Sequence, residues 1–360
     1  MIKRRLLLNR RLSKGEELTI NKTNEHVKQW KKELAAYTTP HTMRSVWQLI
    51  NSVVPFILLW FLAYWSLSVT YWLTLVCAVL AAGFMVRIFI IFHDCCHRSF
   101  FKKPRWNDVV GILTGLMVCC SYFQWKKSHA IHHATSGNLN RRGTGDVWIM
   151  TKAEYLNASP WLRFKYRMYR NPIGLFVIGP LYLFLISYRF VRRGASKRER
   201  IHTYLTNLAL LLITLFMGWL VGFKAFLMIQ GPIFFLAAAA GVWLFYVQHQ
   251  FEDGYFEPEK EWDYEQAALQ GSSYYKLPRF LQWFSGNIGF HHVHHLSPKI
   301  PNYHLEKVHE STPSLQTVTT ITLGSSIKSL RFRLWDEQHK SFVSFNEIKH
   351  LLNKKNPNVS

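Results

Sequence analysis

Three short windows of the chain concentrate its histidines: HDCCH at 93–97, HAIHH at 129–133 and HHVHH at 291–295 hold nine of seventeen. On a helix, residues i, i+3 and i+4 share one face. His93 and His97 therefore project together, as do His129, His132 and His133, and His291, His294 and His295; His292 points away from that face. Imidazole-only sites suit zinc, copper, iron or nickel. Structural zinc takes four ligands and catalytic zinc keeps three, so eight converging rings are too many for one zinc and about right for two iron ions with open positions. His249, in VQHQFED, is a ninth candidate. Metal-bound imidazoles need acceptors on their second nitrogen to fix tautomer and orientation; Asp94 and Asp146 are placed for this, and Asn287 is a weaker candidate. His26, His41, His202, His304, His309, His339 and His350 are isolated and read as surface or packing residues. HDCCH also fits a shortened zinc-protease helix, H-D-x-x-H, a reading that leaves the other two windows unexplained.

The charge pattern shows what kind of scaffold holds these windows. Residues 45–86 contain no Asp, Glu, Lys or Arg. As one helix they would reach about 63 Å, twice the roughly 30 Å of a bilayer core, so the stretch predicts two spans with a turn at 66–70. Residues 201–223 and 225–251 are likewise uncharged, separated by Lys224. Spans are predicted near 47–66, 70–91, 204–222 and 226–248. The uncharged runs 109–125 and 171–188 sit at the lower limit for crossing. Of the 44 Lys and Arg, set against 21 Asp and Glu, all but Arg87 and Lys224 fall in four segments outside the spans: eleven in 1–46, thirteen in 93–172, six in 188–203 and twelve after 249. By the positive-inside rule these segments share the cytoplasmic side, which requires the two short runs to dip into the interface without crossing. The predicted fold is an all-α integral membrane protein. It has two transmembrane helical hairpins, four spans in all or six if the short runs cross, and a cytoplasmic cap carrying the histidine-rich site. A basic arm (1–46) precedes the membrane domain (47–305), and a cytoplasmic segment (306–360) follows it. Basic residues flanking spans answer to topology and anionic lipid; nucleic acid is not an expected partner. The five cysteines form no disulfide framework or CxxC pair. No cleavable leader is evident, and the tail 352–360 reads as unstructured.

The windows in their context resemble the three histidine boxes of membrane fatty-acid desaturases. FHDCCHRSFF at 92–101 follows a span directly, SHAIHHATSGNLNRRGTGDVW covers 128–148, and GNIGFHHVHHLSPKIPNY covers 286–303. The order of span pair, two boxes, span pair and third box is also the family's, over roughly 45–305, and looks most like bacterial acyl-lipid desaturases of the Bacillus type. The resemblance implies a di-iron centre that uses dioxygen and two external electrons to remove two hydrogens from a fatty-acyl chain and leave a cis double bond. It implies His93, His97, His129, His132, His133, His291, His294 and His295 as ligands, and likens His249 to the family's additional histidine after the last span. Some acyl-CoA desaturases carry Asn four residues before that histidine; here Phe245 stands there, which argues for acyl lipid over acyl-CoA.

No flavin, haem or nicotinamide fingerprint is present, so electrons must come from a separate carrier. A basic cytoplasmic face suits an acidic ferredoxin or flavodoxin, with Lys102, Lys103, Arg105, Lys126, Lys127, Arg141 and Arg142 near the boxes. Membrane hydroxylases of the alkane and carotenoid type share such boxes and are the alternative; they differ in adding oxygen to carbon.

Overall fold

A computed structural model describes residues 32–349 and 351. The basic arm up to residue 31, His26 within it, His350 and the tail 352–360 lie outside the described residues. In chain order the principal helices are α1 (Thr42–Ser66), α2 (Tyr71–His97), α3 (Pro104–Met117), α4 (Tyr122–Thr135), α5 (Lys152–Asn157) and α6 (Pro160–Arg170). After these come α7 (the irregular Gly174–Arg189), α8 (Lys197–Val221), α9 (Phe223–His249), α10 (Tyr264–Gln270), α11 (Arg279–Phe284), α12 (His291–Leu296) and α13 (Asn302–Ser311).

Four of them, α1, α2, α8 and α9, are long and apolar enough to cross a membrane. They form the two hairpins expected from the uncharged stretches; the turn-side ends lie within three residues of prediction, and the opposite ends of α1, α2 and α8 run five to seven residues further. One of these extensions is functional. Helix α2 does not stop near residue 91 but runs through His97, so box one is the last two turns of a spanning helix. Helix α2 is also the most buried of the four and packs between α1 and α9. Fully buried Ala63, Ala78 and Ala81 let the α1 and α2 backbones approach closely, the usual device where water supplies no driving force between helices. Arg87 lies inside α2 and is partly satisfied: it donates to the Trp283 carbonyl, and its guanidinium sits 3.9 Å above the Trp283 ring.

Both short runs are bent elements. Helices α3 and α4 meet at 100°, and α6 and α7 at 66°, so the described chain has four spans, or up to six if each bent pair counts as one. Gly111 permits the first fold-back, because a Cβ there would lie 2.2 Å from the Tyr122 ring. Tyr122 then donates to the Cys95 carbonyl at 2.8 Å, fastening box two to box one. Helix α7 contains two π-helical turns, Gly174–Ile178 and Tyr182–Ile186.

Beyond the helices, short segments on either side of box three form two small sheets that the all-helical pattern did not announce. Tyr274–Lys276 (β1) pairs in parallel with Thr320–Thr322 (β2), and Leu334–Asp336 (β3) pairs antiparallel with Ser341–Val343 (β4). Buried Arg170 ties this segment to α9, donating to Gln250 Oε1 (2.9 Å) and the Phe332 carbonyl (2.5 Å). The cysteines are all free; Cys77, Cys95, Cys96 and Cys120 are buried.

Candidate metal centre

Four segments bring the histidines together: the end of α2, the last two turns of α4, the end of α9 and the whole of α12. Donor nitrogens of His93, His97, His129, His133 and His294 lie within 4.8 Å of one another, and so do those of His132, His249 and His295. His291 joins the second group, its Nε2 3.0 Å from His249 Nε2. The nine rings thus divide into five and four. His292 faces the other way, its Nε2 3.1 Å from His309 Nδ1. His202 bonds Ser121 and Thr206 instead.

The division follows from helix geometry. Residues i and i+4 are about 40° apart around a helix, whereas i+3 lies about 60° to the other side. The i, i+4 pairs of boxes one and two (His93 with His97, His129 with His133) serve the first group, and the i+3 ring His132 swings to the second. In box three the pair His291 and His295 serves the second group, and His294 returns to the first. Only box one aims all its rings one way, as sharing a face suggested; boxes two and three bridge the two groups.

Second nitrogens fix the tautomers. His93 Nδ1 is 3.2 Å from Asp94 Oδ1, and His132 Nδ1 is 2.5 Å from Asp146 Oδ1. His249 Nδ1 is 3.0 Å from the carbonyl of Gly271. Asp94 is itself held: its Oδ2 accepts from the Asn302 backbone N–H (2.7 Å) and side-chain amide (2.9 Å), and Asn302 Oδ1 accepts from Gln48 of α1 at 2.9 Å. Asn287 does not have the expected orienting role. It hydrogen-bonds none of the nine rings, and its amide only approaches the Asn302 carbonyl at 3.5 Å. A left-handed backbone at Asn287 (φ 60°) accounts for the residue type there.

This donor set fits metal ions. A carbonyl only accepts, so His249 Nδ1 carries the ring's hydrogen; facing a carboxylate, His132 Nδ1 does the same. In the neutral rings both Nε2 atoms are then bare lone pairs, and they stand 3.2 Å apart. Two lone pairs at that distance repel unless a shared cation takes both. Burial and neighbouring histidines push His291, His294 and His295 well below the ordinary imidazole range, so these rings stay neutral and able to donate. His97 Nε2 and His295 Nε2 are buried with no hydrogen-bond partner in the protein. The zinc-protease reading of HDCCH fails here, because His93 and His97 belong to a five-histidine group.

Beside the cluster lies a mostly apolar cavity of about 480 Å³. Its upper end touches His93, His129 and His291, and its walls run down α2 to Met85 and down α9 to Phe234. From Gln248 to Phe234 this is about 21 Å of helix. Ala237, Ala238 and Gly241 keep one wall thin, while Phe184 and Phe234, edge to face at 6.0 Å, stand at the lower end. Helix α7 forms the remaining wall: Leu175, Leu183 and Phe184 face the cavity, and Ile178, Tyr182 and Leu185 are exposed on the opposite side.

Sequence reasoning missed Asn302, Gln48 and the Gly271 carbonyl. Asn302 lies in the tail of box three, and the buried polar stripe Ser45, Gln48, Ser52 on an apolar span was a readable sign of a polar partner. A backbone carbonyl leaves no sequence mark.

The fatty acid desaturase profile matches residues 69–315. A Bacillus subtilis protein named fatty acid desaturase is 56% identical over 324 residues, 90% of this chain and 92% of that one. The Synechocystis sn-1 oleoyl-lipid 12-desaturase is 29% identical over 62% of this chain and 63% of its own. The spinach chloroplastic omega-6 fatty acid desaturase is 27% identical over 62% of this chain, which spans about half of that longer protein. With a profile spanning three of the four long apolar helices and all three boxes, and a relative 56% identical over 90% of the chain, the chain belongs to the fatty acid desaturase family and is an oxidoreductase that desaturates fatty-acyl chains.

Proposed function

We propose that the two histidine groups hold a pair of iron ions, and that the enzyme introduces a cis double bond into an acyl chain of a membrane lipid lying in the adjacent cavity. The observation that carries this reading is the convergence of nine imidazoles, five and four, at one end of an apolar cavity about as long as a fatty-acyl chain. His93, His97, His129, His133 and His294 would hold one ion; His132, His249, His291 and His295 would hold the other. When bound, the metal pair supplies with dioxygen an oxidant strong enough for an unactivated methylene C–H bond, which no side-chain base could deprotonate. The protein's own contribution is positional. Asp94, Asp146 and the Gly271 carbonyl fix the rings, and the α2 and α9 walls line the apolar cavity that would hold the acyl chain beside them. Relatives named oleoyl-lipid desaturases, from Synechocystis and Anabaena variabilis, support a lipid-linked substrate over acyl-CoA. Lipid analysis of cells expressing the protein tests the reading: the expected product is a new double bond with no added oxygen, and purified protein should carry about two irons. A hydroxylated product would make it a hydroxylase instead.

The enzyme is placed in the cell membrane with the histidine cluster on the cytoplasmic side, a reading supported by the basic residues at the box-bearing ends of the spans. Electrons come from a ferredoxin or flavodoxin. Reporters fused after Leu67, in the α1–α2 turn, and after Phe223, at the α8–α9 break, should report the outer face. Reporters after box two and at the C-terminus should report the cytoplasm. A box-two reporter on the outer face would refute this orientation.

A further inference from the structure

We propose that electrons enter the cluster at His97, and that the cations around it, Arg98, Lys102, Lys103 and Lys299, form the docking surface for an acidic one-electron carrier protein. The inference rests on reading the cluster as a redox metal centre and adds where its electrons arrive. Eight of the nine histidines are buried; His97, at the C-terminal end of α2, is the one partly open to the surface. Electron tunnelling falls off exponentially with distance, so a protein that stays outside the fold delivers electrons best where a ligand residue lies nearest the surface, and His97 is the partly exposed one although its Nε2 is buried.

What surrounds His97 is cationic. Lys299, exposed in the loop after box three, donates to the His97 carbonyl at 2.9 Å. Arg98 follows directly in a left-handed conformation (φ 56°) that ends the helix and turns the chain outward. One carboxylate, Asp108, is shared by three cations: Lys126 at 3.3 Å, Arg98 at 3.6 Å and Arg198 at 3.7 Å. The shared acid leaves the group net positive, and exposed Lys102 and Lys103 between α2 and α3 extend it. Basic residues beside a membrane also answer to anionic headgroups. Headgroup contact, however, gives no reason for cations from three separate segments to gather round the one partly exposed ligand residue. An acidic redox protein does, since complementary charge speeds encounter and orients it.

The test uses the full-length iron-loaded protein in nanodiscs of phosphatidylcholine alone, with reduced plant-type [2Fe–2S] ferredoxin as the probe and its oxidation followed by stopped flow. The wild-type rate should fall steeply between 0.1 M and 1 M salt, as the Debye length shrinks from about 10 Å to about 3 Å. Arg98→Glu with Lys102→Glu and Lys299→Glu should slow oxidation at least about tenfold at low salt and flatten the salt dependence. Iron content and bleaching by dithionite should stay at wild-type values, and Lys260→Glu should change nothing. If the triple variant loses iron, Lys102→Gln with Lys103→Gln reads the same rate without touching residues beside box one. A wild-type rate and salt slope in the reversed or neutralised set overturns the docking surface. So does slowing that occurs only in nanodiscs containing anionic lipid, which would assign the cations to headgroups. Wild-type protein that holds iron but is not bleached by dithionite would sink the redox reading underneath.

Discussion

Alanine at any one of the nine clustered histidines should abolish double-bond formation, and His132→Ala shows why the effect is large. Its Nε2 faces His249, and its Nδ1 is the partner of Asp146. Removing the ring deletes a donor from the four-histidine group and leaves a nearly buried carboxylate unpaired beside the cavity. Outer partners of metal-bound histidines alone are worth roughly 10- to 100-fold in affinity or activity, so loss of the ring itself should exceed about a hundredfold in product. Iron should drop from about two per chain to one or fewer. Fatty-acid analysis of expressing cells and metal analysis of the purified variant provide the readouts. His202→Ala, whose ring bonds only Ser121 and Thr206, should behave as wild type. Full activity in two of the nine alanine variants would show the ligand assignment to be wrong.

The next largest effect is expected at Asp146. Asp146→Asn keeps the shape but can turn an NH₂ toward His132 Nδ1. The ring would then favour the tautomer with hydrogen on Nε2, where a lone pair is needed for metal. Turnover and iron affinity should fall roughly 10- to 100-fold, with the protein still folded and the His132 ring still present. Asp94→Asn should resemble it through His93, with an added loss of packing, because Asp94 also accepts two hydrogen bonds from Asn302. Titration of iron into apo-protein, followed by its absorption spectrum, separates weak binding from mere instability. Wild-type iron affinity in Asp146→Asn would mean that the carboxylate only fills space.

Much of this was legible in the sequence because membranes and metals both write in spacing. Uncharged runs twice the bilayer's thickness had to be hairpins, and histidines at i, i+3 and i+4 had to emerge from helices close to one another. The five-and-four division was implicit in the same spacing, since 40° and 60° offsets send an i+3 ring to a different neighbour. Contacts between distant segments were hidden. Gln48, Asn302 and Asp94 meet only once α1, α2 and α13 are packed. The tight bend between α6 and α7 has room only for glycine at 174, where a Cβ would lie 2.2 Å from the Met168 carbonyl. Asn287 misled because a polar residue near a metal box invites a polar role, when a left-handed backbone was the reason for it.

The division of the rings also bears on how the protein is made. The five-membered set needs His294 and the four-membered set needs His291 and His295, so neither is complete until the ribosome has passed box three, some 160 residues after box two. Domains take shape progressively during synthesis, and here both hairpins must insert and associate by helix packing alone while boxes one and two await their counterparts. Loading of the proposed metal pair would thus come late, after insertion, and would tie residues about 200 positions apart into one unit. A chain truncated before residue 291 should integrate into the bilayer and still hold neither ion with a full shell.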